Sequence, residues 1–595
     1  MTPSPENSEE QLQVSRRYGA WLFAFGASLL ASVLIVTPFF WLGSPSGHDI
    51  AFHVSSWLDA AGQWKEGIVF PRWAEWANHG FGEPRFIFYP PLSWMLGAAL
   101  SFVAGWDAVP GAFVVLVQTL AGMCMFALGR RVLPERGALF SAFCYAVNPN
   151  ALLIVYLRSD FAELLASAVF PLLFLMAFEL AGALENRERA VARGVGVFGI
   201  IFAVIWLSNA PAGVLASYSV TLVFVWAAVT QKSWLPLARG AAGIALGFGL
   251  AAFYIVPAAY EERWVNITQA LSTGLLPKEN FVYTQTGDPE HNLFNWVASS
   301  TAVLMIVLTG AAAIAARRGV MGEGERDEKR KLWAMLLLLS AAATLAMFRV
   351  TAILWNVLPE LRFVQFPWRW MSILAVAFAV FAGASVARRR GWILMIPVIV
   401  ILGGTGAFLG KQGWWDGDDI PTLRAAIEQD DGFDGTDEYD PLSDDHYNLP
   451  AKAPFVRMLP PEEDSSKMPN AIVSVGRWTA EEKVLRVKAH GPLRLALRLI
   501  NYPAWRVEVN GRQIAPERAD DYDQMIVPVA AGESQIHVHF KRTPDRTLGN
   551  AISTMGVLIL LALFSAAGLR HRSNHPGSLV NHNTPHPPVF HKYSF

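Results

Sequence analysis

Long apolar runs dominate the chain, broken at short intervals by clusters of arginine, lysine and proline. Runs at about 20–42, 110–130, 136–156, 163–184, 195–208, 212–230, 238–258, 294–316, 332–350, 367–386, 391–409 and 549–569 have lengths suited to crossing a hydrocarbon core of about 30 Å. A shorter run at 90–105, opening Tyr89-Pro90-Pro91, decides the topology. If it does not cross, the basic clusters Arg130/Arg131/Arg136, Arg187/Arg189/Arg193, Lys232/Arg239, Arg317 to Lys331, Arg388 to Arg390 and Arg570/Arg572 all share the side of Arg16/Arg17. If it does cross, most of them change sides, against the excess of basic residues in cytoplasmic loops. We therefore read 90–105 as a re-entrant or surface helix, count about twelve spans and place both termini in the cytoplasm.

Two segments break the pattern of spans. After the first span, Ile50, Val54, Trp57, Leu58, Ala61 and Trp64 recur at helical spacing, an apolar face suited to the membrane interface, opposite Asp49, His53 and Ser56. Near the C-terminus the period becomes two. Leu493, Leu495, Leu497 and Leu499 alternate with Arg494 and Arg498, Asn510-Gly511 marks a hairpin, and Ile536, Val538 and Phe540 close the set. The predicted architecture is a polytopic α-helical membrane protein with an extracytoplasmic β-sandwich before its last span. Its segments are a cytoplasmic N-terminus (1–17), a transmembrane domain (18–410) with a first outer loop at 43–109, an acidic irregular linker (411–470), the sandwich (471–546), a final span (547–570) and a disordered cytoplasmic tail (571–595).

Composition agrees with this class. Of 595 residues 53% are hydrophobic, with 22 Trp and 37 Phe, and mean hydropathy is +0.31, far too apolar for a soluble enzyme. A net charge of −1 supplies no basic field and gives no reason to propose a nucleic-acid partner. The two cysteines, Cys124 and Cys144, fall within predicted spans and read as buried small hydrophobes, not as a disulfide framework. No small-residue cleavage site follows the first apolar run, so it reads as an uncleaved span.

The chain carries no phosphate-binding glycine loop, no dinucleotide fingerprint, no H-E-x-x-H and no G-x-S-x-G. A membrane enzyme acting outside the cytoplasm lacks nucleotide sugars and would draw on a lipid-carried donor. That chemistry needs a base for an acceptor hydroxyl, cations for a leaving phosphate and an apolar groove for the lipid. Asp49 is the candidate base; it reads equally well as an N-cap for the helix that follows. His53, one turn on, either orients Asp49 or contacts phosphate, or is an interfacial histidine. Arginine binds phosphate bidentately, and Arg72, Arg85, Arg158, Arg362 and Arg369 fall on the outer face, where arginines also serve as anchors and ion-pair partners. Arg369 stands out because it follows Gln365-Phe366-Pro367-Trp368 at the outer start of a span. Arg158, Asp160 and Glu163 flank another span boundary, as a site or an internal salt bridge. Trp73, Trp76, Tyr89 and Trp368 suit either a sugar and lipid path or an interfacial aromatic belt.

These residues resemble a known group. An acid closing the first span, a loop with FPRW and GFGEPRFIFYPPL, and the turn R-S-D-F-A-E at 158–163 resemble the GT-C superfamily of polyprenyl-phosphate-dependent glycosyltransferases. QFPWRW at 365–370, GTDEYDP at 435–441 and NYPAWRVEVNG at 501–511 resemble bacterial YfhO-like membrane proteins and the related family termed 6-pyruvoyl-tetrahydropterin synthase-related. The latter name gives no reason to expect pterin chemistry, since no zinc-binding histidine set is present. The resemblance, over about 18–569, implies a GT-C fold in a bacterial inner membrane, with the site and the sandwich extracytoplasmic. It implies an inverting transfer of sugar from polyprenyl phosphate to a hydroxyl of an envelope glycan or lipid, with Asp49 as base. Asp160 and Glu163 match the superfamily's second acidic site loosely; no cofactor is implied with certainty, and a divalent cation stays open. Leu207-Ser208-Asn209-Ala210-Pro211 departs from an expected L-S-H-x-P element. The rival reading is a non-enzymatic carrier or assembly factor for envelope polysaccharide. It calls for paired charges deep within spans, whereas the charges here cluster at span ends.

Overall fold

The computed structural model describes residues 5–184, 191–317, 326–387, 391–441, 449–461, 470–518 and 523–573. The basic stretches 187–189 and 388–390, part of 317–331 and the tail beyond 573 lie outside the described residues. Eleven helices are long and apolar enough to cross a membrane, and twelve if the bent pair Arg330–Ala346 and Arg349–Val357, which turns by 90°, is one span. The most enclosed, Pro367–Val386, is 100% buried over its apolar window; it forms the axis against which other spans pack. Glycines set several of the closest approaches: a Cβ on Gly137 would fall 2.7 Å from the Gly383 carbonyl oxygen. Cys124 and Cys144 are both free and buried.

The run at 90–105 forms one short helix, Pro91–Leu100. Ten residues rise only about 15 Å, half a hydrocarbon core, so it does not span. It packs on the helix Ile50–Lys65, where a Cβ on Gly97 would strike the Trp57 ring at 2.2 Å. That partner helix departs from its predicted role. It does not lie in the interface with a wet polar face, because His53, Ser55, Ser56, Asp59 and Gln63 are as buried as Val54 and Trp57. Its polar side meets further polar groups of the outer loop, so the alternation is satisfied inside the protein.

Strands β1 (Ser44–Pro45) and β2 (Trp415–Asp416) pair antiparallel and tie the end of the first span to the segment after the helix Trp392–Gln412. The C-terminal domain contains β3 (Val456–Leu459), β4 (Ala471–Thr479), β5 (Glu482–Ala489), β6 (Leu493–Ile500), β7 (Trp505–Val509), β8 (Arg512–Ile514), β9 (Glu517–Arg518), β10 (Gln524–Val529) and β11 (Gly532–Phe540). They form one sheet of order β3-β6-β10-β9 and another of order β4-β5-β11-β7-β8. Inward residues of both sheets, among them Leu485, Leu495, Val527 and Ile536, share one apolar core. The β7–β8 hairpin turns on Asn510 and Gly511 at φ 51° and 75°, the left-handed pair that Asn-Gly supplies at low cost.

The linker 411–470 is less irregular than its composition suggests. It contributes β2, the helix Asp419–Glu428 and β3. Its acidic residues find partners in the sandwich: Asp430 accepts from Arg498 at 2.6 Å. Trp73, one candidate for the sugar path, instead anchors this domain, with its ring 5.4 Å from Trp505 and 5.7 Å from Phe540.

Candidate active site

The site begins with a break in a helix. The span Glu135–Arg158 ends in a wider π-helical turn, Ile154–Arg158, and Ser159 takes left-handed backbone at φ 54°. Such turns are costly and gather at functional positions. Here the turn brings Arg158 into the corner and starts the next helix at Asp160, whose Oδ1 accepts from the Glu163 backbone N–H at 2.9 Å. The first loop is pressed against this corner. The Asp49 N–H donates to the Arg158 carbonyl at 2.9 Å, and Ser159 Oγ bridges the Gly47 N–H and the Pro45 carbonyl. Glycine is required at 47, since a Cβ there would sit 2.4 Å from the Arg158 carbonyl carbon.

Two guanidinium groups and three carboxylates meet at this corner. Arg158 Nη2 lies 2.5 Å from Asp49 Oδ2 and 3.2 Å from Asp160 Oδ2, and its Nη1 lies 3.0 Å from Glu163 Oε2. Arg369 reaches the same acids from another span, with Nε 2.9 Å from Glu163 Oε2 and Nη2 3.3 Å from Asp160 Oδ2. Its Nη1 is held by the Val364 carbonyl at 2.8 Å. Phe366 and Trp368 cover the open faces of Arg158, with ring centroids at 5.1 and 5.4 Å. His53 Nε2 stands 3.6 Å from Asp160 Oδ1.

Exposure separates the three acids. The side chains of Asp160 and Glu163 are 4% and 2% exposed, whereas Asp49 is 33% exposed. Asp49 occupies the N-cap position of Ile50–Lys65 but makes no capping hydrogen bond with its side chain. Of its two readings, the structure gives its carboxylate to Arg158. Burial works against charge on Asp160, but Arg158, His53 and Arg369 together outweigh it and hold this carboxyl well below the usual range. Tyr89 borders the same space, its ring 5.9 Å from that of His53. Burial, then the charges of Asp160 and Asp49, push its phenol well above the ordinary value, so it stands as a neutral donor.

Asp49, His53, Tyr89, Arg158, Asp160, Glu163, Trp368 and Arg369 are thus brought together. Arg85 and Arg72 are not. Arg85, 1% exposed, is consumed by Glu83 at 2.5 Å and by Ser55, Ser56 and Thr436. Arg72 lies under the sandwich, where burial first, and then the neighbouring Arg546, lower it to about 10. Arg362 is exposed and lies against Phe363. Sequence reasoning missed His48, exposed at the rim with its ring 4.6 Å from Phe294; only its place beside Asp49 hinted at it. It also missed Phe366, which touches both guanidinium groups. Asn209, standing where a histidine was expected, caps the helix Ala210–Gln231 by accepting from Ala212 at 2.9 Å.

Among the described residues, no group of three or more His, Cys, Asp or Glu side chains is arranged to hold a metal ion. The reason is visible at the corner itself: the Arg158 guanidinium fills the place between the carboxylates where a cation would bind. As they stand, these residues do not fit a divalent ion.

The chain is similar in structure to the apo oligosaccharyltransferase of Archaeoglobus fulgidus (15% identity, TM-score 0.40, 71% of this chain and 61% of the other). It is also similar to the arabinofuranosyltransferase AftD from Mycobacteria (14%, TM-score 0.38, 70% and 29%). A third is the archaeal oligosaccharyltransferase AglB from Archaeoglobus fulgidus in complex with an inhibitory peptide and a dolichol-phosphate (14%, TM-score 0.35, 72% and 61%). The aligned region thus spans less than two thirds of each of these longer proteins. No curated protein matches the sequence. The model of the 6-pyruvoyl-tetrahydropterin synthase-related domain, described as a membrane protein, matches residues 86–408, more than half of the chain. The chain belongs to this family of membrane proteins.

Proposed function

We propose that the protein is a membrane glycosyltransferase that moves a sugar from a polyprenyl-phosphate donor to a hydroxyl of an envelope glycan or lipid. The reaction takes place on the extracytoplasmic face of a bacterial inner membrane. One observation carries the reading: a single half-exposed carboxylate, Asp49, stands at the mouth of a corner whose buried floor holds two guanidinium groups. The acceptor O–H gives its proton to Asp49, its oxygen forms the new bond to the anomeric carbon, and the bond to phosphate breaks with the electron pair leaving on the phosphate. Attack opposite the departing group inverts the centre. Arg158 and Arg369 take up the charge that develops on the leaving group. The inside position of the basic clusters supports the orientation.

The test is transfer of lipid-linked sugar in membranes, wild type against Asp49→Asn. Loss of turnover with the protein folded is expected. Unchanged turnover removes the base and the reading with it.

A further inference from the structure

Resting on that reading, we infer that Asp49 is held latched by Arg158 and is released as a base only when the donor's phosphate displaces it. Three carboxylates already take up the edges that two guanidinium groups turn to the corner, so, among the described residues, another anion finds no unoccupied edge there as it stands. The incoming phosphodiester of the donor must therefore take the place of a carboxylate, and the phosphate monoester left after transfer holds the same place. Asp160 and Glu163 are closed off at 4% and 2% exposure; each faces both arginines, and Asp160 also caps its helix. Of the two guanidinium groups Asp49 faces only Arg158, with 33% of its side chain open. It is the one partner that can swing away, and in leaving it uncovers Arg158 Nη2 on the open side.

The exchange couples two requirements. A carboxylate clasped by a guanidinium at 2.5 Å has the oxygen that faces Arg158 occupied, and it must turn away before that oxygen can meet an acceptor hydroxyl. Once a phosphate holds the guanidinium, the freed carboxylate can turn to the acceptor hydroxyl. The base is thus armed by the donor, and the acceptor hydroxyl is not activated at an empty site.

The test is binding to the purified full chain in detergent, with farnesyl phosphate and inorganic phosphate as probes. Removing the competing carboxylate in Asp49→Asn should tighten farnesyl phosphate binding by at least about 10-fold while turnover is lost. Asp434→Asn, a fully exposed carboxylate elsewhere (96%), should change nothing, and Arg158→Gln should weaken binding. Equal or weaker binding by Asp49→Asn, with farnesyl phosphate bound by wild type, overturns the latch and leaves the donor reading intact. Inorganic phosphate bound more tightly by Asp49→Asn, with no binding of the isoprenyl probe, keeps the latch and removes the lipid donor. Binding of neither probe by any form overturns both. Should Asp49→Asn fail to fold, infrared difference spectra of the wild type decide: phosphate should shift one carboxylate stretch, and an unchanged carboxylate region overturns the proposal.

Discussion

Two buried sets of acids and arginines flank the helix Ile50–Lys65, and they are finished differently. Around Arg85, every charge is answered. Its Nε meets Glu83 Oε1, its Nη1 meets Ser55 and Ser56, its Nη2 meets Thr436, and the other Glu83 oxygen accepts from the Thr436 N–H at 2.8 Å. Phe52 caps the guanidinium plane at 4.6 Å. Around Arg158 the count does not close: Glu163 Oε1 has no hydrogen-bond partner among the described residues, and Asp49 is only partly covered. A saturated set fixes one conformation and does nothing else. An unsaturated one keeps a group ready to change partners, and it persists only because the surrounding fold over-determines it.

The widest separation between the two sets should come from their carboxylates. Asp49→Asn should lower sugar transfer by about 10²–10⁴-fold, the range for loss of a general base, with little change in melting temperature. Glu83→Gln should do the reverse. It leaves Arg85 buried without its counter-charge and should cost about 3–5 kcal/mol of stability, read from thermal melts, while transfer per folded molecule survives.

Next is Asp59, one turn beyond Ser55 on the same helix, which accepts from Gln63 at 2.6 Å and from the Trp76 N–H at 3.0 Å. Burial raises its carboxyl from 3.8 to about 6. The folded protein thus holds this proton to higher pH than the unfolded chain does. The resulting stability is present below about pH 4 and lost as pH rises through about 6, a change of up to about 3 kcal/mol. Melting temperature plotted against pH should fall over that window in the wild type more steeply than in Asp59→Asn; parallel curves would count against it. The smallest effect is expected at Tyr502→Phe, which removes one hydrogen bond (2.6 Å) to Glu261. About 1 kcal/mol should be lost, with transfer rates unchanged. A large loss of transfer there would mean that the sandwich takes part in the chemistry.

What was legible in the sequence follows from how far each signal reaches. Spans are written in local hydropathy and sandwich strands in period-two leucines, so both are visible within about ten residues. The π-turn at Ile154–Arg158 left no such mark, because its backbone is set by the loop pressed against it. Asp49, Arg158 and Arg369 could be singled out for their place at span ends, but their meeting could not be read, since it depends on packing between elements 109 and 206–209 residues apart. Arg85 looked like Arg158 in sequence, an arginine in an outer loop; its partners Glu83, Ser55, Ser56 and Thr436, the last 351 residues away, take up its guanidinium inside the protein. The helix 50–65 misled for the same reason: a polar face announces water unless a distant polar partner covers it.

The ribbon of β1 with β2 joins Ser44 to Asp416 and Pro45 to Trp415. Asp49 is made early, on the first stretch of chain to emerge beyond the first span, yet the clamp that steadies its loop cannot close until more than 350 further residues have been synthesised. Arg369, too, arrives only with the helix Pro367–Val386. During membrane insertion the corner therefore stays incomplete, and the protein acquires its chemistry in a late step of its own biogenesis. A nascent or prematurely ended chain would possess the acid without the scaffold that gives it a purpose.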